Sequence, residues 1–221
     1  MNKRMITPII FGFVGVAILV SLGNWQVRRL AWKEGILANM ETRLSAPGVP
    51  VPESPDPESD LYLSVIVEGT MEAGEVHVLS SSPQTGPGYR IIAPFTLQDG
   101  RRILIDRGAV GEAQKNAPRA LESGVLEGNL LWMQEEAPFP PDLGKNIWFS
   151  RPPAALAEIL DTEPVLVVLR HSTLSTGPVP VAIDLNIPNN HFSYAVTWYL
   201  FALVWAGMTL YLLGRIKRKT V

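Results

Sequence analysis

The chain of 221 residues contains no cysteine. Disulfide bonds, thiolate metal sites, thiol catalysis and haem attachment through a C-x-x-C-H motif are therefore excluded. Standard catalytic signatures are also missing, because the sequence has no G-x-S-x-G, no H-E-x-x-H, no phosphate-binding loop and no dinucleotide fingerprint. A hydrolase built from scattered Ser, His and Asp residues is for this reason the weakest functional hypothesis.

Acidic residues are missing from both ends of the chain. All 21 of them fall between Glu34 and Asp184, whereas the ends carry only basic side chains. The basic residues of the ends are Lys3, Arg4, Arg215, Lys217, Arg218 and Lys219. The middle, which holds every acid and the other 13 of the 19 basic residues, is therefore clearly acidic. This charge argues against a nucleic-acid partner.

Charged residues are also missing from two long apolar segments. The first runs from Met5 to Leu22, with Pro8 in the first turns, where a helix tolerates proline best. The second runs from Phe192 to Leu213 and has aromatic residues near both ends. Each is long enough to cross a bilayer as a helix. A cleaved signal peptide is the alternative for the first segment, but no small-residue cleavage site follows it, so the sequence predicts an uncleaved anchor.

The charge pattern orients the two predicted spans. Two spans put both termini on one side, and the six terminal basic residues outnumber Arg28, Arg29 and Lys33 at the loop side. Because cytoplasmic flanks carry the excess of basic residues, both termini are predicted to be cytoplasmic and the acidic middle periplasmic. The chain has no Arg- and Ser-rich transit peptide, which favours the inner membrane of a bacterium. Membrane lipid is therefore an expected partner.

The segment between the spans has the pattern of a small β-rich domain. Short runs of alternating or β-branched residues bounded by turn residues predict six strands. Gln98–Gly100 predicts a hairpin turn, and Pro152–Leu160 predicts a helix. The predicted strands start at Leu63 (LSVIVEG), Glu75 (EVHVLS), Tyr89 (YRIIAPFTL), Arg101 (RRILIDRG), Val125 (VLEGNLLWM) and Val165 (VLVVLRHS).

These elements predict a membrane α+β protein. Two transmembrane helices, one at each end, flank a mostly antiparallel β domain that forms a small barrel or sandwich with one or two helices. The first helix is expected to continue over Gln26–Leu44, and the prolines of Ala46–Asp60 predict an extended linker with too few apolar groups to pack. The predicted segments are the cytoplasmic N-terminus and first span (1–25), the membrane-proximal helix and linker (26–60), the periplasmic β-rich domain (61–190), the second span (191–214) and the basic cytoplasmic tail (215–221).

His191 is the strongest candidate for a ligand. It opens the second span directly after Asn189 and Asn190, which are natural helix caps, so it should lie at the outer membrane boundary. Tyr194 and Trp198 follow at i+3 and i+7 on the same helical face. That face could seat a flat porphyrin, with a neutral imidazole nitrogen of His191 as the iron ligand. The alternative is an interfacial histidine among the aromatic residues of the membrane boundary.

Aromatic and cationic side chains leave the first span at the same boundary. Trp25, Arg28, Arg29 and Trp32 share one face by the i, i+3, i+4, i+7 rule. The two arginines could pair with the propionates of a haem, and lipid phosphates are the alternative partners. This face is therefore a second candidate for contact with a porphyrin.

Three further features are interpreted as structural. His77 lies in an alternating strand pattern and His171 ends another predicted strand, so each is expected to be a packed or surface histidine. Asp106–Gly108, at the end of a strand, predicts a local ion pair and a turn rather than a site.

Several segments resemble motifs of one known family, the Surfeit-locus ("Surf-one") assembly factors of cytochrome c oxidase. Pro188–Tyr199 (PNNHFSYAVTWY) resembles the N-N-H-x-x-Y-A-x-T-W-[FY] opening of that family's second span. Leu22–Lys33 (LGNWQVRRLAWK) is similar to the L-G-x-W-Q-x-x-R-x-x-W-K exit of its first span. Internal blocks of the family are resembled by Gly88–Phe95 (GYRIIAPF), by Asp106–Gly108 (DRG), and by Trp148–Phe149 with Arg151.

The resemblance implies a bacterial, non-enzymatic protein that helps to mature the haem a centre of oxidase subunit I. It implies that haem a is bound transiently, that His191 is the iron ligand, and that cytochrome c oxidase subunit I and haem a synthase are partners. A haem-free membrane scaffold that stabilises an oxidase assembly intermediate is the competing hypothesis.

Overall fold

The computed structural model describes residues 3–132, 139–171, 177–185 and 187–218. The predicted tail residues 219–221, and the strand ends predicted at Met133 and Ser172, lie outside the described residues. The chain forms two compact units. One consists of its two ends (Met1–Asn39 and Leu185–Val221), and the other of its middle (Met40–Asp184).

Both predicted spans are helical. The helices are α1 (Lys3–Ser45), α2 (Pro153–Leu160) and α3 (His191–Arg218), of which α1 and α3 are long and apolar enough to cross a membrane. α1 continues beyond its apolar run without a break, as the sequence predicts. α3 begins directly after Asn190, whose carbonyl oxygen accepts the backbone N–H of Tyr194 at 3.2 Å.

Small residues let α1 and α3 pack closely against each other. A Cβ atom added at Gly12 would lie 2.2 Å from Thr209, and one added at Gly23 would lie 2.6 Å from Tyr199. These contacts follow opposite orders along the two helices, so the pair is antiparallel. On α3, Ala195 is buried. Because lipid gives no hydrophobic drive for two helices to associate, such close packing is a main source of stability for a helix pair in a membrane.

Within the described part of the middle unit, seven strands form one mixed sheet. They are β1 (Val49–Pro50), β2 (Ser64–Met71), β3 (Val76–Ser82), β4 (Gly86–Leu97), β5 (Arg102–Gly111), β6 (Ser123–Leu131) and β7 (Leu166–His171). Their order is β1-β2-β6-β7-β5-β4-β3, and an additional pairing of β2 with β4 closes five of them into a ring. β1–β2 and β5–β7 pair in parallel, and the other described pairs are antiparallel. The predicted mostly antiparallel domain is confirmed, and of the two predicted forms, barrel or sandwich, the ring of strands is a small barrel.

Alternation along the strands separates two apolar layers. Ile103 and Ile105 of β5 belong to the core inside the ring, whereas Leu104 between them packs on the other face. α2 covers that outer face with Leu156. The predicted hairpin turn is present between the antiparallel strands β4 and β5. Gly100 adopts a φ of 87° in this turn, a conformation that glycine adopts without strain.

Part of the predicted linker is packed, and the expectation that it has too few apolar groups to pack is wrong for its first half. Val51 is buried in the barrel core, and β1 pairs with β2. Arg101 donates hydrogen bonds to the carbonyl oxygens of Pro52 (2.9 Å) and Val51 (3.2 Å). Burial of Val51 and hydrogen bonds from the distant Arg101 thus fix this segment, although the number of its apolar residues does not predict packing.

Asp106–Gly108 does not form the predicted turn. Strand β5 continues through this segment to Gly111. Ile91 and Ile92 of β4 pair with Gly108 and Asp106, so Arg107 between them has no partner on β4, and this irregularity is a β-bulge. Gly108 adopts a φ of 111°, and its N–H donates to the Asp106 carboxylate at 3.1 Å. The bulge, and not a turn, is the physical reason for the glycine at this position.

Candidate functional site

His191 is the first residue of α3, and its ring contacts α1. Its Nδ1 lies 2.7 Å from Oε1 of Gln26. Gln26 belongs to the same unit and is buried, with 9% of its surface exposed. His191 itself is only partly buried. The contact therefore anchors one edge of the imidazole to the neighbouring helix.

This hydrogen bond favours one tautomer of the imidazole. A carbonyl oxygen such as Gln26 Oε1 can only accept, so Nδ1 of His191 must carry the hydrogen and donate it. In a neutral ring Nε2 then has a free lone pair. Among the residues that the structure describes, Nε2 of His191 has no hydrogen-bond partner. Nε2 is accordingly the nitrogen of His191 that this hydrogen bond leaves open to a ligand.

Two other hydrogen bonds join α1 and the start of α3 near His191. Tyr199 donates its hydroxyl to Oδ1 of Asn24 at 2.8 Å, and Lys33 donates to the carbonyl oxygen of Pro188. Hydrogen bonds between two helices help to fix the register of the pair. His191 therefore stands on a backbone that is held independently of its own hydrogen bond.

Tyr194 and Trp198 follow His191 on α3 as the helical spacing predicts. Tyr194 is 56% exposed, and Trp198 is half-buried with its ring edge-on to Phe201 at a centroid distance of 6.1 Å. The contacts of the described residues include none between either aromatic ring and the imidazole of His191. Both rings lie on the helix of the candidate ligand.

The predicted face of α1 is present, but the described contacts do not bring it to the imidazole. Trp25 is 51% exposed, and Arg28 is also exposed. The guanidinium carbon of Arg29 lies 3.9 Å above the ring of Trp32, a cation–π contact. The residue of α1 that does reach His191 is Gln26, which the sequence analysis did not single out. Its position three residues beyond Gly23, on the stripe that faces α3, is the signal that could have revealed it.

A second polar cluster lies in the barrel around Asp106, and it corrects the predicted local ion pair. The Asp106 side chain is completely buried, and its Oδ2 accepts hydrogen bonds from Arg90 (2.7 Å) and Arg151 (2.9 Å). Arg90 also donates to the carbonyl oxygen of Val181 at 2.9 Å. The partners of Asp106 lie 16 and 45 residues away, so proximity in sequence could not identify them.

Arg107, next to Asp106, points away from that cluster. Its side chain donates to the carbonyl oxygen of Ala120 at 3.3 Å, and the residue is only 2% exposed. Burial lowers the pKa of the Arg107 guanidinium below its ordinary value, although the charge of Glu75 partly opposes this shift.

The other two histidines lie in the packed and surface positions that the sequence predicts. His77 is buried, and its Nε2 pairs with Glu75 at 2.7 Å, a carboxylate that Arg119 also binds. His171 is exposed at the end of β7. In the described ranges no group of three or more His, Asp or Glu residues could hold a metal ion.

Comparison with known proteins shows similarity over most of the chain. The model of the SURF1 family matches residues 13–203. Surfeit locus protein 1 of Xenopus tropicalis is 32% identical over 209 residues, which cover 81% of this chain and 67% of that protein. The Homo sapiens protein of the same name is 32% identical over 207 residues, covering 80% and 68%. The SURF1-like protein of Monosiga brevicollis is 29% identical over 217 residues, covering 88% and 83%.

Proposed function

Since the chain belongs to the SURF1 family, we propose that it binds haem a transiently and assists its insertion into subunit I of cytochrome c oxidase. The family is known for cytochrome c oxidase assembly, which supports an oxidase partner and a non-catalytic role. Haem a synthase is the proposed source of the cofactor. The proposal requires a side chain that can bind the haem iron and later release it.

The observation that carries the proposal is the state of His191. Its Nδ1 is anchored on Gln26, and its Nε2 has no partner among the described residues. What distinguishes His191 from His77 is access: His77 is buried, so its unpaired Nδ1 is closed to a ligand, whereas His191 is partly exposed. A neutral imidazole nitrogen is the usual protein ligand of haem iron.

The side chains at this end of the helix pair have the chemistry that a haem requires. His191 offers one imidazole ligand, the exposed rings of Tyr194 and Trp25 offer apolar surface, and the exposed guanidinium groups of Arg28 and Arg29 can pair with carboxylates. Haem a, when bound, supplies the iron and the redox chemistry for its destination in the oxidase.

Release follows from the same features. His191 is the single imidazole at this end of the described helix pair, and it is partly exposed, so it would hold its cargo by one protein bond. In our proposal Trp198 packs beside the ring, while Arg28 and Arg29 orient the propionates. A haem held by one axial bond and by exposed side chains can dissociate faster than a haem enclosed in a pocket.

The same proposal places the chain in the inner membrane of a bacterium, with both termini cytoplasmic and the central domain periplasmic. The two apolar helices and the basic residues at both ends support this topology. A reporter that is active only in the periplasm should work when it is inserted at Asp99–Gly100 and should be silent when it is fused after residue 221. Activity of the C-terminal fusion would refute the proposed orientation.

The direct test is expression of the full chain together with the haem a biosynthesis enzymes, followed by a visible spectrum of the purified protein. We expect a haem a absorption band in stoichiometric proportion to protein. We also expect deletion of the gene to lower the activity of haem a-containing oxidases and to spare quinol oxidases without haem a. A colourless protein that still co-purifies with oxidase would overturn haem binding and favour the haem-free scaffold.

A further inference from the structure

Gln26 is an unusual residue for the place where it lies. It falls on the stripe of α1 that packs against α3, three residues beyond Gly23, and it is among the few buried polar residues of the helix pair. Burying an amide without a hydrogen bond costs free energy, so such a residue needs a partner. Its Oε1 finds that partner in Nδ1 of His191 at 2.7 Å.

We propose that Gln26 is a positioning residue that fixes the tautomer and the orientation of His191, so that Nε2 is presented to the iron of a bound haem. This proposal rests on the proposed haem-binding role of His191. The side chain of Gln26 acts through the imidazole and does not itself need to touch the haem.

The physical reason is the choice that a free imidazole has. Without an acceptor beside Nδ1, the hydrogen can reside on either nitrogen and the ring can rotate about its side-chain bonds. With its carbonyl oxygen turned to the ring, the Gln26 amide favours a protonated Nδ1 and holds the ring in one orientation. The lone pair is then held on Nε2 before the cargo arrives, which lowers the cost of binding.

The nature of the acceptor also sets the strength of the ligand. A carboxylate beside Nδ1 would increase the basicity of the ring and tighten its bond to iron, whereas a neutral amide does so less. Within the described ranges no carboxylate lies within hydrogen-bonding distance of His191. An amide acceptor therefore suits a histidine that must release its cargo.

A purely structural role for Gln26 makes a different prediction. Tyr199 and Asn24 form a separate hydrogen bond between the same two helices at 2.8 Å. If Gln26 only joined α1 to α3, removal of either hydrogen bond would have similar consequences. Tyr199→Phe, which deletes one hydroxyl and keeps the ring, is therefore the matched control.

The test uses the full chain, co-expressed with the haem a biosynthesis enzymes, in four variants. Gln26→Met keeps the length of the side chain and removes the amide, and we expect haem affinity to fall about 10- to 100-fold, as is typical when the hydrogen-bond partner of a metal-binding histidine is lost. Gln26→Glu should retain haem, raise the iron–histidine stretching frequency and lower the reduction potential. Tyr199→Phe should leave affinity and both spectroscopic values unchanged, and His191→Ala should lose the haem.

Three outcomes would overturn the positioning role: wild-type affinity in Gln26→Met, an equal loss in Tyr199→Phe, or an unchanged stretching frequency in Gln26→Glu. The last measurement decides the matter even if Gln26→Met fails to accumulate in the membrane. If His191→Ala loses haem while the Gln26 variants behave like wild type, only the role of Gln26 is refuted. If His191→Ala keeps its haem, the ligand assignment under the proposed function fails first.

Discussion

Two polar clusters, one in the barrel and one in the helix pair, differ in how many of their polar atoms have hydrogen-bond partners. In the barrel, Asp106 accepts hydrogen bonds from Arg90, Arg151 and the backbone of Gly108. In the helix pair, His191 makes one hydrogen bond, and its Nε2 has no partner among the described residues. Fully satisfied buried networks give a fold rigidity, whereas a nitrogen with a free lone pair is available to a ligand. Burial of polar groups alone therefore does not distinguish a structural cluster from a functional one.

The largest effect that follows from this comparison is on the stability of the barrel. Asp106→Ala removes the single carboxylate that Arg90 and Arg151 share, and we expect it to lower the free energy of unfolding by about 3–5 kcal/mol, because the buried Arg90 and the half-buried Arg151 lose their partner. Asp99→Ala is the control, since Asp99 is exposed and pairs only with Arg101 in the hairpin turn. Thermal unfolding of the full chain in detergent measures both. Equal stability of the two variants would show that the Asp106 cluster is not structural.

A smaller effect is expected in the helix pair. A Cβ atom at Gly23 would lie 2.6 Å from the ring of Tyr199, so Gly23→Ala should destabilise the pair by about 1–3 kcal/mol. The control is Gly207→Ala on α3, where a Cβ meets nothing within 4 Å and the substitution should stabilise the helix by up to about 1 kcal/mol. Opposite shifts of the melting temperature are therefore predicted. A stabilising Gly23→Ala would contradict the close packing of α1 and α3.

The smallest effect concerns acid stability of the barrel. A hydrogen bond from Thr96, followed by the hydrogen bond and charge of Arg102, lowers the pKa of the Glu72 carboxylate below its usual 4.5. A folded-state pKa below the unfolded value means that the stabilisation is present at neutral pH and is lost as the pH falls below 4.5 through the folded pKa. The melting temperature of Glu72→Gln should therefore fall less steeply in acid than that of the wild type. Parallel pH profiles would refute this contribution of Glu72.

The strands and the spans could be predicted from the sequence because the pattern of apolar residues indicates them. Ile103, Leu104 and Ile105 form a short continuous apolar run, which is typical of a strand buried on both faces, and the structure places them in two layers. The continuous apolar runs of α1 and α3 are equally direct. Closure of the barrel was a prediction of fold class, whereas the pairing of β2 with β4 that achieves it required the structure.

The partners of polar side chains could not be predicted in the same way. Gln26 and His191 lie 165 residues apart, and nothing in either local pattern shows that their side chains meet. Asp106 was interpreted with its sequence neighbour Arg107, but its partners are Arg90 and Arg151. A hydrogen bond requires a donor–acceptor distance that is correct to within a few tenths of an ångström, and hydrophobic patterns do not encode such distances. The three segments that supply this cluster did share one signal, since each belongs to a block that resembles the same family.

The most direct test of the difference between the two clusters is the haem content of histidine variants. The full chain carrying His191→Ala, His77→Ala or His171→Ala is co-expressed with the haem a biosynthesis enzymes, and haem per protein is measured after the membrane level of each variant has been verified. We predict that His191→Ala loses most of its haem, because its Nε2 is the open ligand, while the other two variants keep theirs. Equal haem in all three variants would contradict the assignment of His191 and leave both clusters structural.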